Sequence, residues 1–468
     1  MNGTYSILQI GWSGMVAGRL AGNVASHNVA NAATPGYSRQ RAELAARWPW
    51  PGVPGMIGTG VEVLGVGQLR DALVEGRLRG ALAEQGFSSG MSQVLATAQT
   101  AMGVGQDDAL QQALGEFFSS LADLAADPAG AAARQQVLAS AARVGTAFSS
   151  LRGHLQETRA GLDTQIDGLV NEVQQRLDEI AALNKEIHLA ESAGARANDL
   201  RDRRQLLANE VAERLSVRAF SDDEGNLNLM LAAGGVLVEG QQAAELNTVV
   251  DGSNDGLLAV DLQLASGASR RLDASAGGLL GGLLAARDGQ LRDAVDGLDQ
   301  LAFDLAGQVN TLHQAGFGLD GVSGRNLFAP PGTVEGAAAA LTLDAAVAGN
   351  PDALAAAQDA TALPGDNRVA LALADLATNS FAGAGTRTPV QQVVALEEAL
   401  GSALAGAERD VELHAARISQ LTALRESVSG VSLEEEMIEL TKAQRAFEAA
   451  SKVIQAGDEM LETILSLR

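Results

Sequence analysis

The stretch SHNVANAATPGY, residues 26–37, ends one helix and sends the chain in a new direction. Pro35 and Gly36 occupy the second and third positions of a predicted type II turn, because proline fixes its φ and glycine accepts a positive φ. Apolar residues before this turn recur at helical spacing, so we predict an amphipathic helix over about residues 4–30. Its apolar stripe consists of Tyr5, Leu8, Trp12, Met15, Leu20 and Val24.

This first helix is too weak to be stable by itself. Each of its glycines costs about 1 kcal/mol relative to alanine in a helix, and an isolated helix of this kind is marginal in water. We therefore expect it to need a partner.

The last segment, about residues 432–467, is the other amphipathic end. One row of residues at seven-residue spacing is wholly apolar, whereas the intermediate row is half polar. Such a one-sided stripe favours an external partner over a symmetric dimer, although periodicity leaves docking on the chain's own core open as the alternative. The stripe consists of Leu433, Met437, Leu440, Phe447, Ile454, Leu461 and Leu465.

Most of the chain between these ends has a helical pattern. Apolar steps of three and four residues run through about 69–215 and are strongest at 151–193. A coiled-coil-like hairpin with the helix at about 198–215 is expected. Asp127 and Pro128 interrupt the pattern once, and Pro128 is expected in the first turn of the next helix.

The period changes from helical to alternating between about 216 and 275, which predicts a small inserted β domain. Helical patterns return at about 279–315, 366–376 and 388–427, so the fold class is mainly α with inserted β structure. The predicted domains are 1–40 with 430–468 for the terminal helices, 41–215 with 279–315 and 366–429 for a discontinuous helical domain, 216–278 for a β-rich domain, and 316–365 for an irregular insertion or small outer lobe.

Composition excludes several classes of function. The chain has 468 residues and a formal net charge of −24, with no basic stripe that could neutralise the phosphates of a nucleic acid. It has no cysteine, and no apolar run approaches the roughly 20 residues that span a bilayer, so we expect no membrane insertion. Residues 1–18 contain no lysine or arginine, so a cleaved secretion signal is not expected.

Several motifs that suggest enzyme or metal chemistry have simpler explanations. The G-x-S-x-G match at 86–90 has helical flanks rather than the strand and turn of a nucleophile elbow. The five histidines form no ligand pair, and Glu434–Glu436 suit a helix N-terminus capped by Ser432. Arg201, Arg203 and Arg204 are expected on a solvated or intersubunit face. We predict no catalytic, cofactor-binding or metal-ligating residue, and therefore no enzyme and no cofactor.

Trp48 and Trp50 lie in the proline-rich stretch WPWPGVPG, residues 48–55, which cannot be a helix interior. Two interpretations stay open. The loop could be clamped on the helical domain, or the tryptophans could contact another subunit, since aromatic residues are enriched at interfaces.

Residues 26–37 resemble the N-terminal signature of flagellar axial proteins, the family of rod, hook and hook-associated subunits. Its residues here, which we call the axial motif, are Ser26, Asn28, Ala30, Asn31, Thr34, Pro35, Gly36 and Tyr37. His27 stands where the family often has a second asparagine. Residues 117–121, 198–207, 281–288 and 429–467 resemble the hook-associated protein 1 members of that family, and the resemblance is thin from about 325 to 390.

This resemblance implies a structural junction subunit that connects the hook to the filament of the bacterial flagellum. It implies that the terminal helices pair as a coaxial, coiled-coil-like base beneath an elongated helical-bundle domain and an outer β-rich lobe. The implied partners are the hook protein, the second hook–filament junction protein, copies of the chain itself in a helical assembly, a cytosolic export chaperone and the flagellar type III export apparatus. The implied location is extracellular, at the junction, without signal cleavage. Another axial subunit (a rod, hook or second junction protein) and a cytosolic coiled-coil scaffold are the alternatives.

Overall fold

The computed structural model describes residues 2–51, 55–102, 109–192, 194, 196–264 and 267–466, with the side chains of residues 2–5 and 101 outside that description. The helices are α1 (Asn2–Asn31), α2 (Ala72–Ala101), α3 (Ala109–Ala126), α4 (Ala131–Ser192), α5 (Asn198–Arg214), α6 (Gly278–Ala285), α7 (Leu291–Gln314), α8 (Ala337–Ala340), α9 (Arg368–Asp375), α10 (Pro389–Ser429) and α11 (Leu433–Ser466). The strands are β1 (Gln40–Ala46), β2 (Trp50–Pro51), β3 (Met56–Ile57), β4 (Val61–Gln68), β5 (Val217–Ser221), β6 (Leu227–Leu231), β7 (Val236–Glu239), β8 (Gln242–Ala243), β9 (Glu245–Val250), β10 (Leu258–Gln263) and β11 (Ser269–Leu272). The chain is thus mainly α with inserted β structure, as the sequence predicts.

The helical body is built around α4, which is 62 residues long. Helix α4 includes the predicted segment 151–193 up to Ser192, and it packs with α3, α5 and α7. One buried cluster of leucines, valines and phenylalanines runs through these helices into the β sheets. Because that core is continuous, the helices and the inserted sheets support each other.

The prediction for Pro128 is wrong. Helix α4 begins at Ala131, so Pro128 lies in the connection before it rather than in its first turn. The carbonyl oxygen of Pro128 accepts hydrogen bonds from the buried Arg134, at 2.9 Å from Nε and 2.6 Å from Nη2. The turn at Pro128 is therefore stabilised by the Arg134 side chain, and the helix begins only after it, at Ala131.

Two antiparallel sheets are inserted between α5 and α6. One has the strand order β5-β6-β7-β8 and the other β9-β10-β11. Leu227, Leu229 and Leu231 alternate along β6 and are all buried. The alternation in the sequence therefore identifies the core-facing side of this strand.

A network of charged side chains joins the β lobe to the helical body. Arg287 lies in a π-helical turn, Ala286–Gln290, between α6 and α7, and is 1% exposed. Its Nη1 donates to Asp163 on α4 at 2.7 Å, and Nε and Nη2 donate to Asp288 at 2.9 and 2.8 Å. Asp163 also accepts from the backbone N–H of Leu258 in β10.

The second arginine of this network is Arg159 on α4. Its Nε donates to the carbonyl of Arg287 at 3.1 Å, and its other nitrogens donate to Asp255 and Asn254 in the loop between β9 and β10. Asn254 in turn donates to Asp288. The network therefore fixes the position of the β lobe on the body.

The arginines of α5 are paired within the chain. Arg201 donates to Glu191, and Arg203 pairs with Glu179. Arg204 is buried and donates to Asn184 at 2.6 Å, and burial lowers its pKa to about 10. The expectation of a solvated face is therefore wrong for Arg204, which belongs to the core.

Residues 316–365 have little regular structure and are held to α7 by side-chain hydrogen bonds. Asn310 accepts from the backbone of Leu327 and Phe328 and donates to the Phe328 carbonyl. His313 is buried, its Nδ1 donates to the Arg325 carbonyl at 2.7 Å, and its Nε2 accepts from the N–H of Ala355 at 2.9 Å.

His313 should make this region sensitive to acid. Burial lowers its pKa, and a protonated ring could not accept from Ala355. The unfolded chain then binds more protons, so stability should fall as the pH drops below the ordinary histidine pKa of about 6.5. We expect the unfolding midpoint to drop between pH 7 and pH 5, by less in His313→Gln than in the parent.

The matched control for this prediction is His154→Gln, because His154 is exposed on α4. It should keep the parent's pH dependence, measured by thermal unfolding across that range. An unchanged dependence in His313→Gln would contradict the assignment.

Residues 40–68 form an arm that lies against α1. Strands β1 and β4 pair antiparallel, and the short strands β2 and β3 pair nearer its end. The backbone N–H of Val61 donates to Ser13 Oγ on α1 at 3.1 Å. Residues 52–54 of the proline-rich stretch are outside the described residues. Among the helices described here, none is long and apolar enough to cross a membrane.

Candidate assembly interface

Helices α1 and α11 pack against each other in antiparallel orientation, and small residues let them approach closely. A Cβ added at Gly18 would lie 3.1 Å from the Phe447 backbone nitrogen and 3.2 Å from the Ala443 carbonyl oxygen. A Cβ added at Gly14 would lie 3.1 Å from the Ala450 Cβ. The glycines that weaken α1 as an isolated helix therefore create its contact surface.

The α11 residues buried in this contact repeat every seven positions. They are Glu436, Ala443, Ala450 and Gly457. Gly457 lies against Leu8, and a Cβ at that position would come within 2.9 Å of Leu8 Cδ2. This small-residue row, rather than a row of large side chains, brings the two helices together.

Asn28 of the axial motif ties three elements together. Its amide nitrogen donates to the Gln40 carbonyl on β1 and to Glu436 on α11, both at 2.9 Å. Its oxygen accepts from the Gln40 N–H at 3.0 Å and from the Tyr37 hydroxyl at 2.8 Å. Asn28 is 1% exposed, and both polar atoms of its buried side chain make hydrogen bonds.

Tyr37 and Gly36 show how the turn of the axial motif is held. Gly36 has φ +78° and the Tyr37 N–H donates to the Thr34 carbonyl at 3.2 Å, which confirms the predicted type II turn. Burial raises the pKa of the Tyr37 hydroxyl, with the Asp199 and Asp202 carboxylates adding to the effect. The hydroxyl therefore stays protonated and donates to Asn28.

Arg39 follows the turn and binds the start of α11. Its Nε donates to Glu436 at 2.6 Å and its Nη1 to Glu435 at 2.7 Å. Glu436 is 2% exposed. Its two oxygens are therefore shared between Arg39 and Asn28, and the carboxylate is neutralised inside the contact.

Helix α5 also binds residues 38–40, through Asp199 and Asp202. The Ser38 N–H donates to Asp202 at 3.2 Å, and Arg70 binds both Ser38 Oγ and Asp202. Gln40 donates to Asp199 at 3.0 Å and accepts from Asn198. Residues 37–40 are thus bound to both α11 and α5. We call the hydrogen bonds and ion pairs of residues 37–40 with Asn28, Asp199, Asp202, Glu435 and Glu436 the clasp.

Comparisons with known proteins agree with this architecture. The family model "Flagellar hook-associated protein FlgK helical domain" matches residues 95–328, and "Flagellar basal body rod FlgEFG protein C-terminal" matches residues 425–467. The flagellar hook-associated protein 1 of Bacillus subtilis is 26% identical over 100% of this chain and 99% of the relative. The Escherichia coli protein of that name is 24% identical over 99% of this chain and 100% of the relative.

The chain belongs to the FlgK family of flagellar hook-associated proteins.

A solved FlgK structure has the same fold. The flagellar hook junction protein FlgK from Burkholderia pseudomallei superposes with a TM-score of 0.67 at 18% identity, covering 76% of this chain and 100% of that one. Like the other members of the FlgK family, the chain is a structural, hook-associated component of the bacterial flagellum.

The axial motif residues differ in burial and in the contacts that they make. Asn31 donates to the His27 carbonyl and accepts from the Thr34 hydroxyl. Ser26, Ala30 and Pro35 are exposed. Within the motif, Asn28 and Tyr37 are joined by their side-chain hydrogen bond and Asn31 is joined to Thr34, while Gly36 lies against Leu206 of α5.

The two predicted apolar stripes are only partly in contact with each other. From α1, Val24 is buried and Leu8 touches α11, Met15 and Leu20 are half-buried, and the Tyr5 side chain lies outside the described residues. Trp12 is 62% exposed. The stripe as a contact surface therefore stays a prediction for the assembled state.

The α11 stripe is divided in the same way. Leu440 and Ile454 lie beside Gly22 and Gly11 of α1, and Leu461 is half-buried. More than a third of each remaining member is exposed, and these members are Leu433, Met437, Phe447 and Leu465. The pair therefore leaves an apolar face on its outside.

Sequence reasoning assigned Glu434–Glu436 to the helix N-terminus alone and missed the ion pairs. The Ser432 hydroxyl does accept from the Glu435 N–H at 3.4 Å, as predicted for an N-cap. The signal for the clasp was the heptad spacing of Glu436 with Ala443, Ala450 and Gly457, which places a carboxylate on a small-residue row.

Glu436→Gln should loosen the clasp, because it removes the charge opposite Arg39 while keeping the shape. Hydrogen bonds to charged groups contribute about 1.5–3 kcal/mol. We expect faster amide exchange in α1 and α11, with α4 unchanged. Glu434→Gln is the matched control, since Glu434 is exposed on the same turn. Equal exchange in the two variants would contradict the role of Glu436.

Ser88 of the G-x-S-x-G match lies within α2, where its hydroxyl donates to the Glu84 carbonyl at 3.1 Å. The predicted helical flanks are confirmed. Within the described residues, no group of three or more histidine or acidic side chains could hold a metal ion.

Proposed function

We propose that this chain connects the hook to the filament of the flagellum, and that its paired terminal helices form the inner part of the assembled tube. The observation that carries the proposal is the antiparallel contact of α1 with α11, clasped to the helical body and apolar on its outer side. A helix pair with an unpartnered apolar face gains stability by packing against neighbouring copies.

The proposed partners follow from this arrangement and from the family. The hook protein lies on one side and the second hook–filament junction protein on the other, with copies of this chain beside it. Before assembly, a cytosolic chaperone covers the exposed apolar residues of α11, and the chain leaves the cell uncut through the flagellar type III export apparatus. We propose no catalytic role.

Truncation tests this mechanism. Deleting about the first 40 or the last 40 residues should leave a folded, soluble core, because the buried cluster lies in the body. In a strain lacking its own copy, each truncated chain should fail to join filaments to hooks, and flagellin should spill into the medium. Filament growth with either truncation would overturn the terminal-helix mechanism.

The location separates this proposal from the other axial subunits. Immunogold labelling should mark the distal end of the hook in strains that carry the full chain. Labelling along the length of the hook would favour a hook or rod subunit.

A further inference from the structure

The described residues form two parts whose apolar contacts are separate. Helices α1 and α11 pack on each other, and strands β1 and β4 of the arm pack on α1. We call α1, α11 and the arm the base. Among the described residues, no side chain of the base belongs to the buried clusters of the helical body. The base and the body are therefore two packing units.

The arm belongs to the base because its far end does not touch the body. The Val61 N–H donates to Ser13 Oγ, and a Cβ at Gly60 would lie 2.2 Å from the same oxygen, so the arm rests directly on α1. At the far end, Trp48 is 89% exposed and Trp50 is 70% exposed. The proline-rich loop is therefore not clamped on the helical domain, which excludes one of the two interpretations of its sequence.

Polar groups make most of the contact between the base and the body, and those of the body come from residues 196–202 at the start of α5. The pairs are Asp202 with the Ser38 N–H, Asp199 with Gln40 and His27, Asn198 with Gln40, Gln68 and the Val66 carbonyl, and Arg196 with Glu43. Gly36 also lies against Leu206. Small polar interfaces between parts of one chain generally permit relative motion.

The two chain connections between these parts meet at Arg39. One connection runs from β4 to α2 through residues 69–71, and the other runs from α10 to α11 through residues 430–432. The Leu69 N–H donates to the Arg39 carbonyl at 2.9 Å, and the Arg39 N–H donates to the Ser429 carbonyl at 2.8 Å. Rotation about Arg39 therefore changes the angle between base and body while stretching neither connection.

A cavity of about 610 Å³ lies beside this pivot. The turn at residues 32–37 borders it on one side, and residues 425–432 at the end of α10 border it on the other. The described residues that line it include none of α5. The turn therefore has room to move toward α10, which would separate Ser38 and Gln40 from α5.

Asp202 is the charged link that holds the turn on α5. Its buried carboxylate accepts from the Ser38 N–H at 3.2 Å and pairs with Arg70. Arg70 lies in the connection to α2 and also donates to Ser38 Oγ at 3.0 Å. Because hydrogen bonds to charged groups are stronger than neutral ones, this triangle favours the observed position of the base.

We propose that the base rotates on the helical body as one rigid part about Arg39, and that Asp202 is the latch that holds it in the observed position. Release separates Ser38 and Gln40 from α5 and moves the turn into the cavity. Asp202 is thus a positioning residue for the whole base. In the proposed tube, the joint lets the body change its angle while the inner helices stay packed. That use rests on the proposed function, whereas the joint is a property of the single chain.

The test measures distances between two nitroxide spin labels in the purified full-length chain by double electron–electron resonance. The chain has no cysteine, so two introduced cysteines carry the only labels. Glu448→Cys on α11 with Glu186→Cys on α4 reports across the joint. Gln9→Cys with Glu448→Cys reports within the base, and Glu186→Cys with Glu213→Cys reports within the body. All four native side chains are exposed.

The pair across the joint should show a second distance beside that of the latched position, whereas each control pair should show one narrow distance. In Asp202→Asn, the ratio of released to latched chains should rise about tenfold or more, as expected when a hydrogen bond to a charged group is lost. Asp410→Asn is the matched control, because Asp410 is exposed on α10. It should leave the ratio unchanged.

A single narrow distance across the joint in both the parent and Asp202→Asn would overturn the inference. So would an equal ratio in Asp202→Asn and Asp410→Asn, because Asp202 would then not be the latch. A broad distribution within the base would overturn it as well, since the base would not be one rigid part. None of these measurements uses hooks or filaments, so the proposed function stands or fails separately.

Filling the cavity gives a second measurement. Val428 lines the cavity, and Val428→Trp added to Asp202→Asn should lower the ratio of released to latched chains about fivefold or more, because overpacking opposes the movement of the turn. Leu413→Trp is the matched control, since Leu413 is 63% exposed on the same helix and lies outside the cavity lining. Equal ratios in the two tryptophan variants would contradict movement of the turn into the cavity.

Discussion

Replacing Arg287 by alanine should destabilise the junction of the β lobe and the body by about 3 kcal/mol or more, since it leaves charges without their partner in a buried network. Arg287 holds Asp163 and Asp288, and its carbonyl accepts from Arg159. We expect a lower thermal unfolding midpoint and a loss of amide protection in β9 and β10 before the rest of the chain.

The control is Arg292→Ala, about one and a half turns further along the chain. Arg292 pairs with Asp296 at 3.8 Å, and both side chains are about half exposed or more. Surface pairs of this kind contribute at most about 1 kcal/mol. If both variants lost stability equally, the network around Arg287 would not be the anchor of the lobe.

Gly18→Leu should abolish motility, because the leucine side chain has no room between α1 and α11. A Cβ at this position already lies 3.1 Å from one backbone atom of α11 and 3.2 Å from another. Overpacking costs about 1–3 kcal/mol, which corresponds to about a 5- to 150-fold shift of an equilibrium. Amide exchange in both helices should accelerate accordingly, and cells should carry hooks without filaments.

Gly76→Leu is the matched substitution. Gly76 is an exposed helical glycine of α2, and a Cβ there would meet nothing within 4 Å. The change should be neutral or mildly stabilising, since glycine is the poorer helix former by about 1 kcal/mol. Normal motility in Gly18→Leu cells would show that the two helices need not approach so closely.

The long helices could be predicted from the sequence because their periodicity is local. The segments predicted at 151–193, 198–215 and 432–467 correspond to α4, α5 and α11. Helix α4 begins earlier, at Ala131, within the helical pattern predicted over 69–215, because the stretch 131–150 is rich in alanine. The alternation at 227–231 likewise identified β6.

The contact surface of the terminal helices could not be predicted from hydrophobicity. A search of α11 for large apolar residues at helical spacing selects Leu433 and Met437, whose side chains are exposed. The helices instead approach at Ala443 and Ala450, because close backbone packing needs small side chains. Hydrophobic periodicity therefore identified the helix but, with Leu440 and Ile454, only part of the face that α1 covers.

The burial of two charged side chains could not be predicted from the sequence either. Arg204 and Arg287 look like surface residues, since arginine is mostly exposed in proteins. Their burial depends on partners far away in the chain, such as Asn184 and Asp163. Only the fold brings these partners together, so no local pattern reveals them.

The hydrogen bond between Asn28 and Glu436 joins residues 408 positions apart. During translation, Asn28 emerges from the ribosome long before Glu436 has been made, so the contact between α1 and α11 can form only when nearly the whole chain has been synthesised. Contacts of such high contact order form slowly. A newly synthesised chain can therefore fold its helical body while α1 and α11 are still unpaired.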